Sequence, residues 1–339
     1  MDAPEWACLL DVLDLIKDKH DGTLAYRKSC RMMICGSCGM RMDGRAVLAC
    51  KERMKPIADA GHVPVISAMG NMPVLKDLVV DMDPFWNKIR SVKPWLDPGY
   101  DEPAEKERVV SQQKMNVIHK EALCIMCGCC VSECNSMESD PEFMGPAALA
   151  KGFRFVGDAR DQAEVERLNT MNEEHGVWDC TRCYFCNERC PKGVDPRDAI
   201  AKLGAESMKE GIDRDMGAKH AKWFVVSAKT TGWLRETELV PKTQGVVEAI
   251  KQTRFALDLA VKGKVPPPFP PHVAKDVKES RRLFDLVKEQ GRDGYAGIVQ
   301  GEHALAKLSH GDVGDETLEE IYERPGAFVR PYVEGEEAQ

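Results

Sequence analysis

Long hydrophobic runs are missing from this sequence of 339 residues: nothing in it approaches the ~18 consecutive apolar residues that a membrane-crossing helix needs. Its start, "MDAPEWACLL", has no basic segment leading into an apolar one, so no secretory signal is expected. The chain therefore reads as cytosolic, at most peripheral to a membrane. A dominant basic block is also lacking, and the net charge of -8 argues against nucleic acid as the main partner. No glycine-rich dinucleotide fingerprint follows a strand-like segment, so the chain by itself is expected to bind no FAD. Finally, no cysteine follows Cys190, although 14 lie at or before it. Whatever chemistry the thiols perform is confined to the first part of the chain.

Disulfides would require an exported protein; in a reducing compartment, clustered cysteines more often hold metal. The first group is Cys30-x4-Cys35-x2-Cys38, followed after eleven residues by Cys50. That is the plant-type [2Fe-2S] spacing. Gly36 and Gly39 suit such a loop, because they let backbone amides approach sulfur where a side chain would intrude. Zinc also takes four thiolates, but its sites usually pair two short knuckles, unlike this three-plus-one arrangement. Cys8 lies in "ACLLDVLDLIKD", on the apolar side of a helix-like segment, and reads as core. Short apolar runs between Gly, Asn and Pro in "HVPVISAMGNMPVLKDLVVDM" predict strands and turns. Beyond them, "DPFWNKIRSVKPWLDPGYDEPAEKE" is rich in Pro and charge and reads as a linker.

Two further runs share one spacing. "CIMCGCCVSEC" gives Cys124-x2-Cys127-x2-Cys130-x3-Cys134, and "CTRCYFCNERCP" repeats it with Cys180, Cys183, Cys186 and Cys190. In two-cluster ferredoxins of the bacterial type, the fourth cysteine of each run ligates the cluster of the other. Crossed in that way, one set is Cys124, Cys127, Cys130 and Cys190. The other is Cys134 with Cys180, Cys186 and, if it ligates, Cys183. Cys129 is out of register and reads as a small buried neighbour. The sequence between the runs is helical in spacing, and "DPRDAIAKLGAESMKEGI" offers Asp195 as N-cap with Pro196 at the first helical position. The runs are thus expected in turns between helices.

A [2Fe-2S] domain, a proline-rich linker and an all-helical two-cluster domain form an ordered set of centres suited to passing single electrons. Here the chain resembles the iron-sulfur subunit of the succinate dehydrogenase/fumarate reductase family, on "SCRMMICGSCGM", "PVLKDLVVDM", "SVKPWL", "CIMCGCCVSEC", "GPAALA" and "CPKGVDPRDAI", across roughly residues 8 to 212. The resemblance implies an α+β protein: a plant-type β-grasp ferredoxin domain over 1–83, a linker over 84–118, an α-helical ferredoxin domain over 119–217, and a mainly helical extension over 218–339. It implies a FAD flavoprotein partner that oxidises succinate, membrane-anchor subunits, and quinone as acceptor. The chain would then be a relay without substrate chemistry of its own, held on the inner face of the cell membrane through its partners. The same module serves fumarate reductases, heterodisulfide-reductase-like complexes and flavin-linked oxidases of hydroxy acids.

The sequence departs from that pattern in several places. The first two strands of the ferredoxin sheet, normally ahead of "LLDVLDLIKD", have no counterpart. Many quinone-reactive members place Pro after the equivalent of Cys134, a Trp shortly beyond, and His after the equivalent of Cys180; here stand Asn135, "SMESDPEF" and Thr181, so no quinone-pocket residues are carried over. Members with a [3Fe-4S] third centre typically lack the thiol at the position of Cys183. Its presence assigns a [4Fe-4S] third cluster on Cys134, Cys180, Cys183 and Cys186, the competing assignment being [3Fe-4S] with Cys183 free. The family subunit usually ends near residue 217, yet residues 218–264 continue with nine Lys/Arg against four Asp/Glu and include Trp223, Phe224 and Trp233. Val246, Val247, Ile250, Leu257 and Val261 form an apolar stripe there. Helices packed on their own domain, or a surface for an anchor subunit or lipid headgroups, are the two expectations for it. "VPPPFPP" then breaks the chain, and from Asp312 nine acidic residues face two arginines.

Overall fold

The computed structural model describes residues 4–99, 108–264 and 273–289. "VPPPFPP" and the acidic end from Asp312 lie outside the described residues, as does part of the expected linker.

Helix α1 (Leu9–Lys19) buries Leu9, Leu10 and Leu13 on a small sheet. That sheet has the antiparallel order β2-β1-β3, from β1 (Gly39–Met42), β2 (Arg45–Leu48) and β3 (Ile66–Ser67). Asp43 and Gly44 join β1 to β2, both at positive φ (52° and 76°), the two-residue turn whose twist matches a hairpin. Asp43 also accepts from the Val65 amide at 2.9 Å and so fixes β3 alongside. Met40 and Leu48 point into the core with the α1 leucines. After helix α2 (Lys55–Asp59), a second hairpin, β4 (Val74–Lys76) with β5 (Val79–Val80), completes the strands among the described residues.

Helix α3 (Asp83–Ser91) stands where the sequence reads as a plain linker. Pro84 opens it, and Phe85, Ile89 and Val92 recur at helical spacing, which the surrounding prolines and charges obscure. These three side chains join the core of the second half, so this part of the expected linker is packed structure.

The second half is helical: α4 (Gln112–Asn116), α5 (His119–Ala122), α6 (Cys129–Ser132), α7 (Asn135–Ser139), α8 (Gly145–Val156), α9 (Glu164–Met171), α10 (Phe185–Glu188) and α11 (Pro196–Lys209). At its centre lies α8, buried nearly all round, with α3, α5, α6, α9 and α11 packed on it. Its small residues, among them Ala147, Ala148 and Ala150, let these neighbours approach. Phe143, Leu149, Phe153, Leu168 and Leu203 fill the space between. Pro196 does open α11, but Asp195 does not cap it: its backbone is left-handed (φ 54°) and its carboxylate pairs with Lys120 at 2.7 Å. The Asn187 side chain serves instead, accepting from the Arg197 amide at 2.9 Å.

Beyond residue 215 follow α12 (Met216–Thr231), α13 (Glu236–Thr243), α14 (Val246–Lys251), α15 (Thr253–Val261) and α16 (Val277–Glu289). Helix α12 packs against α13 and α16, with Ala218 and Trp223 buried. Phe224 and Trp233 are partly open to solvent, and the whole stripe from Val246 to Val261 is exposed.

Candidate metal centres

The loop 30–38 is wound so that amides face sulfur. Arg31, Met33 and Gly36 all take left-handed backbone conformations (φ 59°, 60° and 70°). As a result, the amides of Met32, Ile34 and Cys35 donate to Cys30 Sγ at 3.4, 3.3 and 3.2 Å. Those of Cys30 and Ser37 donate to Cys35 Sγ at 3.5 Å each. Amide hydrogen bonds to sulfur are one of the levers that set a cluster's potential. Cys38 lies at the start of β1 and Cys50 just past β2, so the hairpin brings the fourth thiol back to the loop. Hydrogen bonds from Ser37 and the Cys30 amide hold the Cys35 thiol down at about 6, whereas burial pushes Cys38 up to about 12. A set with one thiolate already favoured and one disfavoured until metal binds couples proton release to metal uptake.

The other two runs repeat one backbone pattern. In the first, Met126 and Gly128 are left-handed (φ 53° and 81°) on either side of Cys127, and α6 follows at once. In the second, Arg182 and Tyr184 are left-handed (φ 57° and 67°) on either side of Cys183, and α10 follows at once. Tyr184 thus holds a conformation that its counterpart Gly128 adopts freely. Helices α6 and α10 pack against each other, so each run presents its last cysteine to the other.

The thiols group accordingly. Burial pushes the Cys124 thiol up, and Cys127 and Cys190 are its charged neighbours in the same direction. Cys124, Cys127, Cys130 and Cys190 line one cavity, together with Ala147 and Val194. The Val194 amide reaches Cys190 Sγ at 3.4 Å. On the other side, burial raises Cys134, whose neighbours are Cys180 and Cys183; it pushes Cys186 up to about 12, with Cys180, Cys134 and Cys183 around it. Cys183 is therefore brought to this second group, on its exposed side. None of these cysteines forms a disulfide. Four convergent thiols in an apolar hollow fit a soft, sulfur-ligated group, and they do not fit a hard cation that wants oxygen.

Two cysteines are placed elsewhere. Cys8 is only half-buried and caps α1, its Sγ donating to Asp11 at 3.0 Å, so it is less a core residue than its spacing suggests. Cys129 is fully buried, but in the core of the first domain with Leu10, Met40 and Leu48. At Thr181, for which no quinone-pocket role is carried over, the amide donates to Ser136 Oγ at 3.1 Å. What spacing misses altogether is the contact between the loop 30–38 and the run 124–134, since no motif marks residues that meet only in the fold.

Both halves of the chain are similar to known proteins. The family model described as a 2Fe-2S iron-sulfur cluster binding domain matches residues 1–87, and that of a 4Fe-4S dicluster domain matches residues 122–194. The 8-methylmenaquinol:fumarate reductase iron-sulfur subunit of Wolinella succinogenes is 33% identical over 287 residues, covering 83% of this chain and 89% of that protein. A fumarate reductase iron-sulfur subunit of Mycobacterium tuberculosis is 44% identical over 201 residues, covering 58% and 79%. The mitochondrial succinate dehydrogenase iron-sulfur subunit 1 of Oryza sativa is 40% identical over 205 residues, covering 59% and 72%. With 83% of the chain covered, the Wolinella match runs on into the extension; the other two do not need to. Among solved structures, the Mycobacterium smegmatis Sdh1 complex in the apo form has a chain with the same fold at TM-score 0.57 and 23% identity, covering 62% of this chain and 88% of that one.

Proposed function

The chain belongs to the iron-sulfur subunits of the succinate dehydrogenase/fumarate reductase family, and from that premise we propose that it relays single electrons from a FAD flavoprotein to membrane quinone in a succinate:quinone oxidoreductase. The observation that carries this reading is the gathering of thiols: backbone amides wrap Cys30 and Cys35, and Cys124, Cys127, Cys130 and Cys190 line one cavity. Iron-sulfur clusters supply reversible one-electron chemistry when bound. Cys30, Cys35, Cys38 and Cys50 hold the [2Fe-2S] centre. Cys124, Cys127, Cys130 and Cys190 hold a [4Fe-4S] centre. Cys134, Cys180, Cys183 and Cys186 hold the third, read as [4Fe-4S].

The protein's own residues supply position and environment. Amides aimed at Cys35 favour its thiolate, and Ala147 and Val194 give the cavity of Cys124, Cys127, Cys130 and Cys190 an apolar lining. We read the sheet β2-β1-β3 with α1 as a β-grasp without its first two strands among the described residues. The domains are taken as 1–83, 84–118, 119–217 and 218–339, with α3 bridging the first boundary. No helix among the described residues is long and apolar enough to cross a membrane. Attachment to the inner face of the cell membrane is accordingly assigned to anchor subunits, helped by the basic stretch 218–264.

Purification of the complex from its source tests the reading. A FAD flavoprotein should accompany the chain, and the complex should reduce quinone with succinate. Fumarate reduction by quinol is the same relay run backwards, and the assay in both directions separates the two. The pure chain should bind no FAD and oxidise no succinate.

A further inference from the structure

The loop 30–38 and the run 124–134 belong to different domains, yet they meet backbone to backbone. At Gly36, held at φ +70°, an added Cβ would lie 2.9 Å from the Cα and Cβ of Cys127 and 2.9 Å from the Ile125 carbonyl oxygen. At Gly39 it would lie 3.2 Å from the Cys127 carbonyl oxygen and 2.9 Å from the Met69 sulfur. The two glycines flank Cys38, and Gly36 directly follows Cys35. Both cysteines belong to the first set, while Cys127 belongs to the second. Backbone atoms cannot rotate aside as the end of a side chain can, so any residue larger than glycine at position 36 must push the two loops apart.

Other contacts press the same surfaces together. Carbonyls at the end of α6 and just beyond it accept further hydrogen bonds from the first domain. Asn71 Nδ2 donates to the carbonyls of Val131 and Cys134 at 2.8 and 3.0 Å. Arg41 Nη2 donates to the Ser132 carbonyl at 2.6 Å. Arg41 Nε and the Ala46 amide donate to Glu133 Oε1 at 3.1 and 3.2 Å. Cys129 is the apolar plug at the centre of this clamp, buried in the first domain's core although its neighbours Cys127 and Cys130 face the second domain's cavity.

We propose that the Gly36–Cys127 contact is the point where electrons cross between the two domains, and that Gly36, Gly39, Arg41 and Asn71 are positioning residues that set the gap. The inference rests on the relay proposed above. One electron crosses at a time: the centre held by Cys30, Cys35, Cys38 and Cys50 is oxidised by one electron, and the centre held by Cys124, Cys127, Cys130 and Cys190 is reduced by one. No bond forms or breaks and no proton moves. Electron transfer between centres slows steeply with separation, so a contact without side-chain atoms between the loops gives the shortest crossing.

The test uses the intact complex with Gly36→Ala, and Gly44→Ala as control. Gly44 has a similar backbone (φ +76°), but an added Cβ there meets nothing within 4 Å, so the control carries the same local strain without the contact. In the reduced complex, the microwave power that half-saturates the [2Fe-2S] resonance reports how close a fast-relaxing neighbouring cluster lies. Gly36→Ala should keep both cluster signals and saturate at severalfold lower power than the unaltered complex, while Gly44→Ala behaves like the unaltered complex. Should Gly36→Ala fail to take up its cluster, Asn71→Gly decides the matter: it preserves the left-handed backbone (φ 56°) and removes two clamp bonds, and it must show the same easier saturation. Unchanged saturation with both clusters present would overturn the proposal, as would equal effects of Gly36→Ala and Gly44→Ala. An unaltered complex with neither signal would refute the cofactor assignment, a separate result.

Discussion

Replacing Arg167 with alanine probes how the segment between the domains is fastened. The buried guanidinium donates to both oxygens of Asp161, at 3.1 and 2.8 Å, and to the carbonyls of Val92, Lys93 and Trp95. Residues 92–95 lie within "SVKPWL", so this fork gives that motif a physical role: it ties the end of α3 to α9. The two side chains are 2% and 1% exposed, which puts the pair beyond easy reach of water. Alanine would leave the Asp161 carboxylate buried with only the Asp97 and Ala163 amides, each at 3.0 Å. Removing one partner of a buried pair costs about 3–5 kcal/mol. Replacing both at once, Arg167→Met with Asp161→Leu, should cost clearly less, because no charge is then left uncompensated. Guanidinium unfolding of the anaerobic, cluster-loaded chain, followed by cluster absorbance, gives the loss from the midpoint at unchanged slope. A single-variant loss below ~1 kcal/mol, the range of solvent-exposed pairs, would refute the reasoning.

Three other outcomes are expected. Cys35→Ala should abolish the [2Fe-2S] paramagnetic signal, leave the helical-domain clusters in place and stop electron flow to quinone; a surviving signal would sink the assignment of that loop. Cys183→Val should convert the third centre to one with a [3Fe-4S] signal, whereas a stoichiometric [3Fe-4S] signal in the unaltered, anaerobically purified complex would show that Cys183 is not a ligand. Truncation after Gln244 should release the complex from membranes at lower salt, since it removes the exposed stripe of α14 and α15 with Lys251, Arg254, Lys262 and Lys264; cutting after Ala218 would instead break α12, where Ala218 and Trp223 are buried. Membrane attachment indifferent to that truncation would mean the stripe serves another purpose.

Much of the site was legible because metal ligation ties chemistry to spacing. Cys30, Cys35 and Cys38 can surround one cluster only from a short loop, and the duplicated run announces its crossing through repeated intervals. Other features depended on what meets in space. Helix α3 was hidden because Phe85, Ile89 and Val92 sit among prolines and charges whose meaning emerges only when α8 offers them a surface. Asp195 resembles a cap, yet Lys120, distant in sequence, takes its carboxylate and Asn187 replaces it. Cys129 could be recognised as out of register, but nothing local says that it plugs the first domain. Asn71 and Arg41 carried no signal at all, since their partners are carbonyls of another domain.

Succinate added to the anaerobic complex, with the [2Fe-2S] resonance recorded before and after quinone, tests the relay most directly. The signal should appear on succinate addition and disappear when quinone follows, with the chain's iron accounting for about ten atoms when one [2Fe-2S] and two [4Fe-4S] centres are filled. A [2Fe-2S] signal that stays silent with succinate while dithionite still raises it would contradict the account, because the chain would then hold its clusters without standing between flavin and quinone.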